Sequence, residues 1–343
     1  MDDDRTVADL LALLDALGEI ARMMDPRRLP ALIAALGNLD DPLRQAAGAT
    51  MVRPPIALAC TFALQACDAL RAAPAAENPM LEALRAMRHC QRALEPLATL
   101  AETVPAIGRY LLEPQSRDDP ALRTRLASTP HPDAGMFHYN NEIAERGGFS
   151  VYVPPWYDPA RPGPLVFALH GGSGHGRLFL LNWLAEARSR GIVIVAPTAI
   201  GRTWSLMEPD IDSQNLHAIL TRVLDRWSID PKRMLLGGMS DGGTFTLLAG
   251  LAADAPFTHL APVAASFHPL LLAMADPERL AGLPIHLTHG ALDWMFPAEG
   301  ARTAYRMLAA AGAAVTYREI ADLSHAYPRD GQGAVLDWFM KDR

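Results

Sequence analysis

The sequence predicts an α/β protein with a mostly parallel, doubly wound sheet, preceded by an all-helical domain. Three observations carry this. First, 343 residues exceed the usual size of one domain. Second, residues 1 to 130 space their apolar positions at three and four and offer no strand-like run. Third, short continuous apolar runs alternate with helix-like stretches from residue 131 to the end. Strands buried on both faces between helices read in this way.

The first segment, "MDDDRTVADLLALLDALGEI", is acidic where a secretory signal would be basic, so no signal peptide is expected and a cytoplasmic location is the default. Val7, Leu10, Leu11, Leu14 and Leu17 form the apolar stripe of a helix. Prolines then punctuate about five or six helices, opening or kinking several of them. The most apolar window, "PIALACTFALQACDAL", is interrupted by Gln65 and Asp68 and reads as a buried helix, too short to span a bilayer. Cys60, Cys67 and Cys90 are the only cysteines; an odd number without framework spacing fits neither a disulfide scaffold nor a thiolate metal site.

After "STPHPDAG" the pattern changes. "FSVYVPP" and "PLVFALHGG" read as strands, and "LFLLNWLAEARSRG" as a helix closed by Gly191. "IVIVAPTA" is a strand, followed by the long loop "PTAIGRTWSLMEPDIDSQN" and the helix "SQNLHAILTRVLDRWSI". "RMLLGGM" is a strand and "GTFTLLAGLAA" a helix. "LAPVAASF" and "LPIHLTHGALD" are strands, "EGARTAYRMLAAAGA" is a helix, "AVTYREI" a strand and "GAVLDWFMKD" a closing helix.

The net charge of −7 and the absence of a basic run leave no electrostatic footprint for nucleic acid. Ligands of such sheets bind beyond the carboxyl ends of the strands, so chemistry is sought there. Gly238-Met239-Ser240-Asp241-Gly242 is G-x-S-x-G between a strand and a helix, the context of a nucleophile elbow. Small neighbours let the turn close, and the following helix aims N–H groups at a developing oxyanion. A serine needs a base, and in this context the order along the chain is Ser, acid, His. Of eleven histidines, His325 is the one that follows the strand-end acid Asp293. Asp293 ends "IHLTHGALD" and would orient the imidazole; Asp322 is the fallback acid. A second oxyanion donor is expected in "LHGGSGHG": Gly172 first, Ser173 beside it, with His170 bracing the loop and His175 at the substrate rim. Lacking GK[ST] and G-x-G-x-x-G, that loop is neither a Walker A nor a dinucleotide site. His286 and His289 are three apart on one strand and so point to opposite faces, and no metal and no organic cofactor is expected.

The words "VYVPPWYDPARPGPLVFALHGGSG", "SIDPKRMLLGGMSDGG", "THGALDWMFP" and "LSHAYP" resemble, in order, the α/β-hydrolase superfamily. The likeness covers about residues 147 to 340. Within the superfamily it is to the carboxylesterase/phospholipase and dienelactone-hydrolase-like group, with some likeness to polyhydroxyalkanoate depolymerase-type esterases. The resemblance implies an eight-stranded sheet, a Ser240–Asp293–His325 triad and an oxyanion hole from the N–H groups of Asp241 and Gly172. Asp241 departs from the Gln, Asn or Ala of many relatives, and residues 1 to 130 match nothing in the family.

Trp204, Met207, Trp294, Met295 and Phe296 lie near strand ends and are expected to line a substrate pocket. The expected function is hydrolysis of carboxylic esters, small or lipid-like, through an acyl-enzyme. The alternatives are a peptidase, amidase or thioesterase on the same triad, and, from another class, a non-catalytic hydrolase-fold binding module. The helical half is expected to serve as a cap, a homodimer contact or a partner-binding element.

Overall fold

The computed structural model describes residues 2–46, 52–207, 209–328 and 332–341; Glu208 in the expected loop and Asp342 in the expected closing helix lie outside them. The chain divides into two compact units, Met1–Asp119 with Ser324–Ala326, and Pro120–Leu323 with Tyr327–Arg343.

The first unit is built of α1 (Asp2–Arg22), α2 (Leu29–Leu36), α3 (Asp41–Ala46), α4 (Pro54–Ala72), α5 (Pro79–Ala98) and α6 (Pro105–Tyr110). With α7 (Pro120–Leu126) of the second unit, the described residues before 130 hold seven α-helices rather than five or six. The excess is in short helices of six to eight residues such as α2, α3 and α6, too brief to show a hydrophobic period. Proline stands at the start of α4, α5 and α6, where its missing N–H costs nothing. The α1 stripe is buried at Val7, Leu10, Leu14 and Leu17 as its spacing predicts. Asp40, buried, accepts from Nε of Arg44 (2.8 Å) and from both terminal nitrogens of Arg71 (2.6 Å each), and these guanidiniums hold its carboxyl far below the usual range. Ser324, grouped with these helices, donates its N–H to the Arg22 carbonyl (2.8 Å) and its hydroxyl to the Met24 carbonyl.

The apolar window expected to be too short for a bilayer belongs to a longer helical run, Pro54–Ala75, which by length and composition alone could cross one. Its Ile56, Ala59, Cys60, Ala63, Ala66, Cys67 and Leu70 face is buried in the helical unit.

The second unit carries an eight-stranded sheet: β1 (Gly135–Tyr139), β2 (Phe149–Val153), β3 (Gly163–Leu169), β4 (Val193–Pro197), β5 (Ile229–Met239), β6 (His259–Val263), β7 (Pro284–Gly290) and β8 (Ala314–Ile320). The order is β1-β2-β4-β3-β5-β6-β7-β8. β1 and β2 pair antiparallel at one edge, and β3 to β8 are parallel. Leu165 to Leu169 of β3 are wholly buried, the signature of a strand covered on both faces. β1 was not expected. As an edge strand its residues are half-buried, so "GMFHY" carries no continuous apolar run.

Helices α8 (Gly176–Phe179), α9 (Leu184–Arg190), α10 (Asp212–Arg226), α11 (Asp241–Gly250), α12 (Leu270–Met274), α13 (Pro277–Leu280), α14 (Ala298–Ala310) and α15 (Gln332–Lys341) complete the unit. The single helix expected at 178–191 is broken into α8, a 3-10 turn over Leu180–Trp183, and α9. Its apolar residues are buried all round, a pattern that hides the break.

From β3 the chain crosses to β4 on one side and then returns to β5 on the other. The crevice at this reversal, beyond the carboxyl ends of β3 and β5, is where open α/β sheets bind ligands. The loop "HGGSG" and the turn at Ser240 both emerge there.

Candidate active site

Ser240 sits between β5 and α11 with φ 56° and ψ −121°, a backbone conformation that side chains with a Cβ rarely adopt. Two glycines let the turn close. A Cβ on Gly238 would fall on the Gly242 carbonyl, and one on Gly242 would fall on the carbonyls of Leu169 and His170 at the end of β3. The Ser240 N–H donates to the Val263 carbonyl of β6 (2.9 Å), and the Ser240 carbonyl accepts from Thr244 (2.9 Å) one turn into α11. A non-glycine residue in strained backbone, fixed from both sides, marks a site where the fold sustains cost for function.

Asp241 opens α11, so its N–H is one of the first-turn donors that have no partner within the helix. Gly171 packs on the Ser240 turn, its Cβ position 3.5 Å from the Ser240 Cβ. Gly172 and Ser173 follow, both exposed, with Ser173 at φ 53°. This loop is heavily tied. His170 takes the Ala199 N–H on Nε2 (3.1 Å) and directs Nδ1 at the Gly171 carbonyl (2.7 Å), which fixes its proton on Nδ1 because a carbonyl can only accept. Trp204 donates its indole N–H to the His170 carbonyl (2.7 Å), and Ser173 its N–H to the Arg202 carbonyl (3.0 Å). The Arg146 guanidinium donates to the carbonyls of Gly174 (2.6 Å) and Gly201 (2.6 Å), and burial lowers its pKa.

Asp293 lies in the turn after β7 with its side chain fully buried. One carboxylate oxygen accepts the N–H groups of Met295 (2.9 Å) and Phe296 (2.8 Å). The other stands 3.3 Å from Nε2 of His289, which also donates to the Phe296 carbonyl (2.7 Å). The turn that carries Asp293 is joined to the one after β8 by the Leu292 N–H to Leu323 carbonyl bond (3.0 Å). Two residues on, His325 is buried, whereas the fallback acid Asp322 is exposed.

Several expectations are corrected. Trp204 is not a pocket wall: it is 3% exposed, stacks on Phe245 at 5.2 Å and belongs to the core. Met207 is 84% exposed, so its side chain stands in solvent rather than in a wall. His175 is not at a rim. It is buried, it caps α8 by accepting the Arg177 N–H, its Nε2 binds the Glu142 and Glu145 carbonyls, and burial lowers its pKa. Trp294 and Phe296 are half-buried beside Asp293, and the Trp294 indole nitrogen is buried without a hydrogen-bond partner.

Sequence reasoning missed His289, Arg146 and Thr203. His289 reads in sequence only as a candidate metal ligand, and Arg146 and Thr203 lie in loops without a motif. The one available signal was the HxxxD spacing of His289 and Asp293 across a strand end. Among the described residues no group of three or more His, Cys, Asp or Glu is arranged to hold a metal.

Residues 210–341 match the family model described as phospholipase/carboxylesterase. Feruloyl esterase C of Emericella nidulans is 27% identical over 162 residues; the match spans 45% of this chain and 58% of that esterase's length. Among solved structures, a truncated carbohydrate esterase from gut microbiota superposes with a TM-score of 0.50 at 13% identity, covering 62% of this chain and 99% of that one. A fluorophosphonate-binding serine hydrolase of Staphylococcus aureus gives a TM-score of 0.48 at 15% identity over 60% of this chain and 98% of its own. The sheet order and the strained serine turn at its point of reversal give the sheet-bearing unit an α/β-hydrolase fold, and its residues 210–341 are similar to the phospholipase/carboxylesterase family.

Proposed function

We propose that the protein hydrolyses carboxylic esters through an acyl-enzyme on Ser240. The observation that carries this reading is the strained turn at Ser240, set between Gly238 and Gly242 against the glycine loop of β3. In the proposed cycle the Ser240 hydroxyl attacks the ester carbonyl as His325 takes its proton. The oxyanion is held by the N–H groups of Asp241 and Gly172. The tetrahedral intermediate collapses, the C–O bond breaks, and His325 returns the proton to the departing alcohol. Water then attacks the acyl-enzyme, His325 again taking a proton, and the carboxylic acid leaves. Asp293 orients the imidazole and stabilises its charged form. Two backbone N–H donors and the neighbouring His289 hold its buried carboxylate in one orientation.

The test is release of nitrophenol from short- and long-chain nitrophenyl esters, with methyl ferulate as a further substrate because a matched relative is a feruloyl esterase. Wild-type turnover that falls by about 10⁴-fold or more in Ser240→Ala supports the reading. Equal turnover in both proteins, or none in either, defeats it.

A further inference from the structure

Resting on the serine-hydrolase reading, we propose that the Asp241 carboxylate and the Thr203 hydroxyl form a clamp that positions the Gly172 oxyanion donor. Asp241 has a second role there beyond its backbone N–H. Its Oδ2 accepts the Thr203 hydroxyl at 2.6 Å. The same oxygen lies against Gly172: a Cβ built on that glycine would be 2.6 Å from Asp241 Oδ2 and 3.3 Å from its Cγ. The carboxylate therefore occupies the space a Gly172 side chain would fill. It touches the oxyanion loop on one side and the Gly201–Trp204 segment on the other.

The segment that holds Thr203 is itself fixed. Asp212, buried, accepts the N–H of Ile200 (2.9 Å) and of Ser205 (2.8 Å), bracketing Thr203. The oxyanion loop is tied to this segment through Ser173 to Arg202, Trp204 to His170, and Arg146 to both Gly174 and Gly201. Those bonds hold loop to loop. The Thr203–Asp241 bond joins the pair to the residue that follows the nucleophile, so one side chain sets the spacing between the two oxyanion donors. An oxyanion hole depends on that spacing, because its donors must sit about 2.7–3.1 Å from the oxygen of the transition state.

Thr203 is a positioning residue in this scheme. Thr203→Val removes the donor and keeps the shape; Thr203→Ser keeps the donor. With nitrophenyl esters, Thr203→Val is expected to lower kcat about tenfold with KM within about twofold, because the lost interaction acts in the transition state. Thr203→Ser is expected to recover most of the loss. Gly172→Ala, which pushes a methyl onto the held carboxylate, is expected to lower kcat at least as much, and less so in the Thr203→Val background, where the carboxylate can swing away. A kcat for Thr203→Val within twofold of wild type overturns the proposal, as does a loss that Thr203→Ser fails to recover. If Thr203→Val folds poorly, the Gly172→Ala pair compared in Thr203→Ser and wild-type backgrounds decides: equal losses support the clamp, and no loss in either overturns it. Ser240→Ala measured alongside separates the two levels. A dead Ser240→Ala with unaffected Thr203→Val defeats the clamp alone, whereas an active Ser240→Ala defeats the nucleophile assignment beneath it.

Discussion

Gly242→Ala places one methyl where the structure has no room for it. The added Cβ would lie 2.5 Å from the Leu169 carbonyl oxygen, against 3.4 Å for the start of ordinary van der Waals contact, and the His170 carbonyl crowds it further. Both obstacles are backbone, so no side chain can rotate away. The turn and the end of β3 must separate by about 0.9 Å, or the alanine must tilt α11. Overpacking of this kind costs about 1–3 kcal/mol, and the upper part of the range is expected because rigid backbone meets rigid backbone. The displaced strand end leads directly into Gly171 and Gly172, and a misplacement of about 1 Å at a reacting centre costs about 100-fold in rate. All six tryptophans lie beyond residue 150, so tryptophan fluorescence during urea unfolding follows the sheet-bearing unit. Gly242→Ala should shift that transition to lower urea and reduce kcat on nitrophenyl esters by one to two orders of magnitude, about what such a displacement costs. Gly300→Ala is the control: no atom lies within 4 Å of its Cβ position on α14, so it should be neutral or gain up to about 1 kcal/mol. A Gly242→Ala protein with unchanged midpoint and kcat would refute the argument that close backbone approach, rather than family habit, requires glycine there.

Further outcomes concern parts of the molecule outside the turn. Asp40→Asn should destabilise the helical unit by about 2–3 kcal/mol at pH 7, less than for a fully buried pair because Arg44 and Arg71 are part-exposed; far-UV circular dichroism in urea reads it. The Asp40 pKa is depressed in the folded state, so its contribution is complete above its unfolded pKa of about 4 and fades as pH falls below that. The gap between wild type and Asp40→Asn should therefore narrow towards pH 2, and a gap unchanged with pH would contradict the ion-pair account. Burial pushes the thiols of Cys60 and Cys67 up to about 11 and about 12, so a thiol reagent at pH 8 should modify them only at the rate of unfolding. Burial also lowers the His175 pKa, so His175→Gln should lessen the loss of stability of the sheet-bearing unit on acidification through pH 6.5 and just below. Identical pH profiles for the two proteins would count against a neutral, buried imidazole at that cap.

What the sequence shows of this protein follows from how local each signal is. β3 is legible because "LVFAL" is apolar at every position, the mark of burial on both faces; β1 is not, because an edge strand needs no such run. The turn at Ser240 is legible because its glycines answer to backbone contacts within a few residues of it and to one strand end, a pattern that survives in five letters. Trp204 shows the opposite case. Its position in a long loop near a strand end suggests a pocket wall, yet its ring stacks on Phe245 and its N–H is consumed by the His170 carbonyl, contacts made 41 and 34 residues away. Thr203 and Arg146 are hidden for the same reason: each acts through a partner supplied by another crossover of the sheet, and nothing in their own neighbourhood in the chain registers that partner. His289 differs, since its partner Asp293 stands four residues on and leaves only the HxxxD spacing as a signal.

The same contrast bears on Asp241. Read along the chain it is the residue after a nucleophile, valued for its N–H, and its carboxylate has no evident use. In the folded unit that carboxylate meets Thr203, 38 residues earlier in the chain, and fills the space a Gly172 side chain would take. A motif records what the backbone must do at the turn itself. In the proposed site the spacing between the two oxyanion donors is set across three connections, β3 to α8, β4 to α10 and β5 to α11, and is written only in the contacts among them. A change at Thr203 can therefore alter the rate while every letter of G-x-S-x-G stays in place, which is why that residue, rather than another position in the motif, is the informative one to vary.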